Sequence, residues 1–143
     1  MLFGKKKRRI QRILVVEDEP LVAFDAEHLL ADSGFEIVAT TDLVSEGLSV
    51  VNSDAPIDLV LVDVSLSDGS GIDVARAARQ RGIPVIFVTG ACPDGAREFA
   101  LGCLAKPYPQ RDLLAAIEAL ETLLDGKSPR KLPNSFSLFA RLA

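Results

Sequence analysis

Asp63 stands directly after an apolar run, Ile57 to Val62, that only Asp58 interrupts. Glu17, Asp18 and Glu19 stand directly after another, Ile13 to Val16. Thr89 follows Val85 to Val88, and Lys106 follows a shorter run, Cys103 to Ala105. A carboxylate can attack a phosphorus centre and become an acyl phosphate. Carboxylates crowded together repel and raise one another's pKa unless a cation joins them. Hard oxygen donors of this kind suit Mg²⁺, which keeps several waters and takes one or two carboxylates plus phosphate oxygens. An ammonium and a hydroxyl opposite them would complete an anion site, because phosphoryl transfer is mostly positioning and charge neutralisation. Singly, each residue has a plainer role: Asp63 a cap, Thr89-Gly90 a turn, Lys106 a solvated charge. Their order along the chain carries the argument.

Five apolar runs must position these residues, and amphipathic stretches separate them. Pro20 fits the first turn of a helix reaching about Asp32, where its missing N–H costs nothing. Val22, Ala26, Leu29 and Leu30 share one face of it. Phe35 to Ala39 reads as a second strand. A helix from about Leu43 to Asn52 is weakened by Gly47. Ser65 to Gly71 is rich in turn formers, and a helix follows from about Ile72 to Arg81. A short helix near Ala96 to Ala100 leads to the fifth strand. The last helix, about Gln110 to Leu124, carries Leu113, Ile117, Leu120 and Leu124 at helical spacing. Strands joined by crossover helices run parallel, with helices on both faces. The expected fold is therefore α/β and doubly wound. A five-stranded parallel sheet in the flavodoxin-like order 2-1-3-4-5 would satisfy this. Ligands of such sheets bind outside the carboxyl ends of the strands, where strand order reverses. In that order strands one and three would be neighbours there, which would bring Glu17 and Asp18 to Asp63.

Length of 143 residues favours one domain. The expected division is a basic N-terminal tail over residues 1–11, a domain over 12–125 and a C-terminal tail over 126–143 with no output domain. Lys5, Lys6, Lys7, Arg8, Arg9 and Arg12 cluster at the start, read as a flexible solubilising tail. The net charge of −4 gives no global basic field for nucleic acid. No apolar run is long enough to span a membrane, and no secretory signal follows the basic start. Cys92 and Cys103 lack metal-site spacing and are too few for a disulfide framework. A reducing cytoplasm is the simplest setting, with Cys103 a small buried filler. In the C-terminal tail, Phe136, Leu138, Phe139 and Leu142 form an apolar cluster, expected to be disordered or a short docking helix. His28, the lone histidine, is read as a surface or partly buried residue.

The stretches RILVVEDEP, DLVLVDVSLSDGSGID, IPVIFVTG and LAKPY, in this order, closely resemble the receiver domain of two-component response regulators. The likeness covers about Arg12 to Leu124. It implies that Asp63 is the phosphoacceptor, that Asp18 and Asp63 bind Mg²⁺ directly, and that Glu17 does so largely through water. The backbone carbonyl of Ser65 would add a ligand, Lys106 would pair with the phosphoryl group, and Thr89 would move toward it. The bond before Pro107 would be cis. The implied donor is a sensor histidine kinase or a histidine phosphotransfer protein, in a cytoplasmic phosphorelay with an output protein still to be identified. The module would be no turnover enzyme but a phosphoacceptor that promotes its own phosphorylation and dephosphorylation.

Three departures from the receiver pattern stand out. Thr89 and Lys106 lie closer together than in the common pattern, so the fourth helix is expected to be short, irregular or missing. Cys103 occupies the position of the usual aromatic switch residue. Ser65, Leu66 and Ser67 replace the usual Met-Pro after the acceptor. Together with Phe87-Val88-Thr89-Gly90, they resemble an atypical single-domain class with a Phe-Ala-Thr-Gly signature. Family homodimers often use the fourth helix, so self-association is left open. Two other functions compete. One is a receiver-like binding module independent of phosphorylation. The other is a phosphatase of the haloacid-dehalogenase type, which would want an aspartate where Ser65 stands.

Overall fold

Apolar runs that are hydrophobic on both faces become central parallel strands, because only a sheet covered by helices on each side buries both faces. The computed structural model describes residues 8–139; Lys5, Lys6, Lys7 and Leu142 lie outside them. The strands are β1 (Arg12–Val16), β2 (Glu36–Thr41), β3 (Leu59–Val62), β4 (Ser65–Leu66), β5 (Gly69–Ser70), β6 (Val85–Thr89), β7 (Gly102–Ala105) and β8 (Phe136–Leu138). The helices are α1 (Pro20–Asp32), α2 (Val44–Val51), α3 (Gly71–Gln80) and α4 (Gln110–Leu124). The main sheet has the order β2-β1-β3-β6-β7-β8, and β4-β5 is a separate hairpin. In the numbering of the five expected strands, its parallel part is 2-1-3-4-5. One apolar cluster lies under α1 and α4, the other under α2 and α3.

Glycines let two helices sit close. A Cβ on Gly47 would stand 3.2 Å from Val74 and 3.3 Å from Val16, so this residue brings α2 down onto the sheet instead of breaking it. The N-terminus of α2 has no cap of its own. Asp68, at the tip of the β4-β5 hairpin, accepts from the N–H groups of Val44 at 2.6 Å and Ser45 at 3.1 Å. These are two of the donors that a helix start leaves without intrahelical partners. They hold the Asp68 carboxyl below its ordinary range.

Three expectations need correction. The sheet has a sixth strand: β8 pairs antiparallel with β7, with Leu104 opposite Phe136 and Gly102 opposite Leu138. Phe136 is buried, so the apolar residues expected in a C-terminal tail complete the core. An edge strand with unpaired backbone groups invites such cover. At the other end, Ile10 is buried, Arg8 lies over the Phe35 ring, and Arg9 pairs with Asp125 at 2.9 Å. Residues 8–11 therefore belong to the fold. The segment near 96–100, expected to hold a short or irregular fourth helix, holds the 3₁₀ turn Ala96–Glu98. Finally, Cys92 and Cys103 are disulfide-bonded. The linker folds back so that their Cα atoms lie 6.3 Å apart, within bonding range although the chain separation gave no such sign. No helix among the described residues is long and apolar enough to cross a membrane.

Candidate functional site

The carboxyl ends of β1, β3, β6 and β7 converge on one cleft. Register explains why: Val16 pairs with Val62, Val62 with Phe87, and Thr89 with Ala105. The residues that follow each strand therefore come level. Glu17, Asp18 and Asp63 each offer a carboxylate oxygen, and these oxygens all lie within 4.8 Å of one another. Glu17, Asp63 and Thr89 are the buried polar side chains of the described core. The cleft holds about 720 Å³, and Asp63, Ser65, Thr89, Lys106 and Pro107 all line it.

Lys106 binds the acidic cluster together. Its Nζ donates to Asp63 Oδ2 at 2.9 Å and lies 2.8 Å from Glu17 Oε1. It also reaches Glu19. The cis Lys106-Pro107 bond, expected from the family resemblance, is present. The Lys106 backbone is fixed as well, its N–H donating to Thr89 O at 2.9 Å. One ammonium among several carboxylates has clear consequences. Burial alone would lower the Lys106 pKa, but its bonds to Asp63, Glu17 and Glu19 outweigh that and raise it. Glu17 moves the other way from a simple ion pair. Burial pushes it up to about 7, because Lys106 is shared and only partly compensates.

Asp63 is held from behind. Its Oδ1 accepts from Ser65 N–H at 3.2 Å. Gly71 opens α3 against the Asp63 backbone, and a Cβ there would stand 1.9 Å from the Asp63 carbonyl oxygen. Gly71 N–H donates to Val64 O at 2.7 Å, closing the turn that carries Asp63 and Ser65. This requirement was hidden in the sequence, where Gly71 read only as a turn former. Glu19 was also given no role, though its acidity and its place after β1 were visible. Cys103 is not in the cleft lining; it is wholly buried in β7. His28 is exposed and stacks edge-on to Phe24.

The sequence profile of the response regulator receiver domain matches residues 13–118. The chain belongs to this family. The receiver is 33% identical over 114 residues to the transcriptional regulatory protein PdtaR of Mycobacterium tuberculosis, covering 76% of this chain and 55% of that protein. It is 34% identical over 116 residues to the cell cycle transcriptional regulator CtrA of Caulobacter vibrioides, covering 76% and 49%. It is 32% identical over 111 residues to the phyllosphere-induced regulator PhyR of Methylorubrum extorquens, covering 73% and 41%. The receiver thus spans about half the length of these curated relatives. Among solved structures, it resembles a CheY-like receiver domain protein from Methanospirillum hungatei, with a TM-score of 0.72 and 26% identity, covering 81% of this chain and 97% of that one. Its flavodoxin-like parallel sheet matches those neighbours, and its family ties it to two-component signalling.

Proposed function

We propose that Asp63 accepts a phosphoryl group from a histidine on a sensor kinase or phosphotransfer protein, in a cytoplasmic phosphorelay that signals through protein contacts. The observation that supports this most is the Lys106 ammonium hydrogen-bonded to Asp63 inside an open acidic cleft. Asp63 Oδ would attack phosphorus while the donor nitrogen leaves. Lys106 would turn from the carboxylate to the phosphoryl oxygens, and the Thr89 hydroxyl would donate from the opposite wall. The clustered oxygens of Glu17, Asp18 and Asp63 form a hard donor set that fits Mg²⁺. Asp18 and Asp63 would hold the ion directly, with Glu17 acting through water and Ser65 through its carbonyl. When bound, the ion neutralises charge on the carboxylates and on the transferred oxygens. The protein is then a phosphoacceptor that promotes its own modification, not a turnover enzyme.

Incubation with Mg²⁺ and a small phosphodonor should add the mass of one phosphoryl group to the wild type and none to Asp63→Asn. A wild type that stays unmodified would overturn the reading. One observation favours a second reading, a binding module indifferent to phosphorylation: Cys103 replaces the aromatic switch residue and is tied into a disulfide. Partner affinity unaltered by phosphodonor and by Asp63→Asn would select it.

A further inference from the structure

Beyond the cleft, the described residues contain one other pair of side chains able to exchange covalent bonds, Cys92 and Cys103. The two sulfurs differ in access. Cys103 is fully buried in β7, aligned with Phe87 on one side and Ser137 on the other. Cys92 is exposed. The bond can therefore be attacked from solvent at one sulfur only.

The position of Cys92 gives this bond its meaning. It follows Thr89, Gly90 and Ala91, and those three residues line the cleft together with Asp63 and Lys106. Further along, the linker holds itself. Ala96 N–H donates to Pro93 O, Glu98 N–H to Gly95 O, and Ala100 N–H to Ala96 O. Gly90 has nothing packed against the side where a Cβ would stand. Among the described residues, no hydrogen bond holds Gly90, Ala91 or Cys92 in place. Thr89 is tied to β7 by its pairing with Ala105 and by the Lys106 N–H, and past it the disulfide is what ties Gly90, Ala91 and Cys92 to β7.

We propose that the Cys92–Cys103 disulfide is a second covalent control on the phosphoacceptor cleft, operated by exchange with a dithiol. The proposal rests on the phosphoacceptor reading of Asp63. A thiolate of the dithiol attacks Sγ of Cys92, forms a mixed disulfide and expels Sγ of Cys103, which takes up a proton. The second thiolate of the reagent attacks the reagent's own sulfur and expels Sγ of Cys92, which is protonated in turn. The dithiol leaves as a disulfide, and the protein gains two electrons and two protons. Oxidised, the wall is pinned to β7 through Cys92. Reduced, Gly90 and Ala91 are free to close on a phosphoryl group.

The test compares the affinity for beryllium fluoride, with Mg²⁺ present, in three samples: oxidised wild type, dithiol-treated wild type desalted without air, and Cys92→Ser. Cys92 is exposed, so this substitution leaves the core intact. The reduced protein and Cys92→Ser should bind at least fivefold more tightly than the oxidised protein, and Cys92→Ser should ignore the dithiol. Equal affinities, or tighter binding by the oxidised form, would overturn this proposal while leaving Asp63 as acceptor. Absence of binding in all three samples would overturn the phosphoacceptor reading itself, and this inference with it.

Discussion

The two halves of the sheet are held by different means. β2, β1 and β3 are joined through the helices α1 and α2, and α3 packs against them with close contacts at Gly47 and Gly71. β6 and β7 are joined by a single 3₁₀ turn and a disulfide, and β7 leads through α4, which packs on this half, to the antiparallel strand β8. The acidic cluster stands on the first half, whereas Thr89 and Lys106 stand on the second. Packing alone therefore fixes the carboxylates, whereas a covalent staple and a borrowed strand add to packing around the groups that answer them. A fold can keep the acceptor invariant and still vary what surrounds it.

Disturbing each half in turn sharpens this contrast. The largest effect is expected at Gly71. Its replacement by alanine drives a Cβ into the Asp63 carbonyl and should cost about 4 kcal/mol in denaturant unfolding, because backbone cannot yield as a side chain can. Unchanged stability would mean that α3 can shift away from Asp63. Next, Phe136→Ala empties a buried position under β7 and should cost about 3 kcal/mol. Amide exchange should quicken in β7 and β8 more than in β1 and β3; uniform quickening would contradict the division into halves. The smallest effect belongs to Asp68→Ala, which uncaps α2 and should lower the melting temperature less than the other two. The wild type should lose the same contribution as pH falls below the ordinary carboxylate range, since the folded state holds Asp68 ionised. A melting temperature flat over that range would remove Asp68 as a cap.

Legibility followed the same division. The parallel strands and the positions of Glu17, Asp18, Asp63, Thr89 and Lys106 were readable because apolar runs end abruptly at those residues. Crossover geometry gave the parallel sense of the strands, whereas the order 2-1-3-4-5 was assumed and fits the receiver resemblance. Gly71 and Asp68 were not readable as supports, because each acts on a residue distant in sequence or through backbone approach. The disulfide and β8 were missed for a shared reason. Periodicity reports which residues are apolar and says nothing of which distant segment will meet them. Phe136, Leu138 and Phe139 were seen as an apolar cluster, but three residues are too few to distinguish a strand from a helix. Arg8 and Arg9 read as solvated charge until their partners, the Phe35 ring and Asp125, came into view.

In the proposed function, three carboxylates and one ammonium form a socket for a divalent ion beside Asp63. Calorimetric titration with Mg²⁺ tests it most directly, on the wild type and on Asp18→Asn. One saturable site is expected in the wild type and at least a tenfold loss of affinity in the variant, with both proteins folded. Equal Mg²⁺ affinity in the two would contradict it.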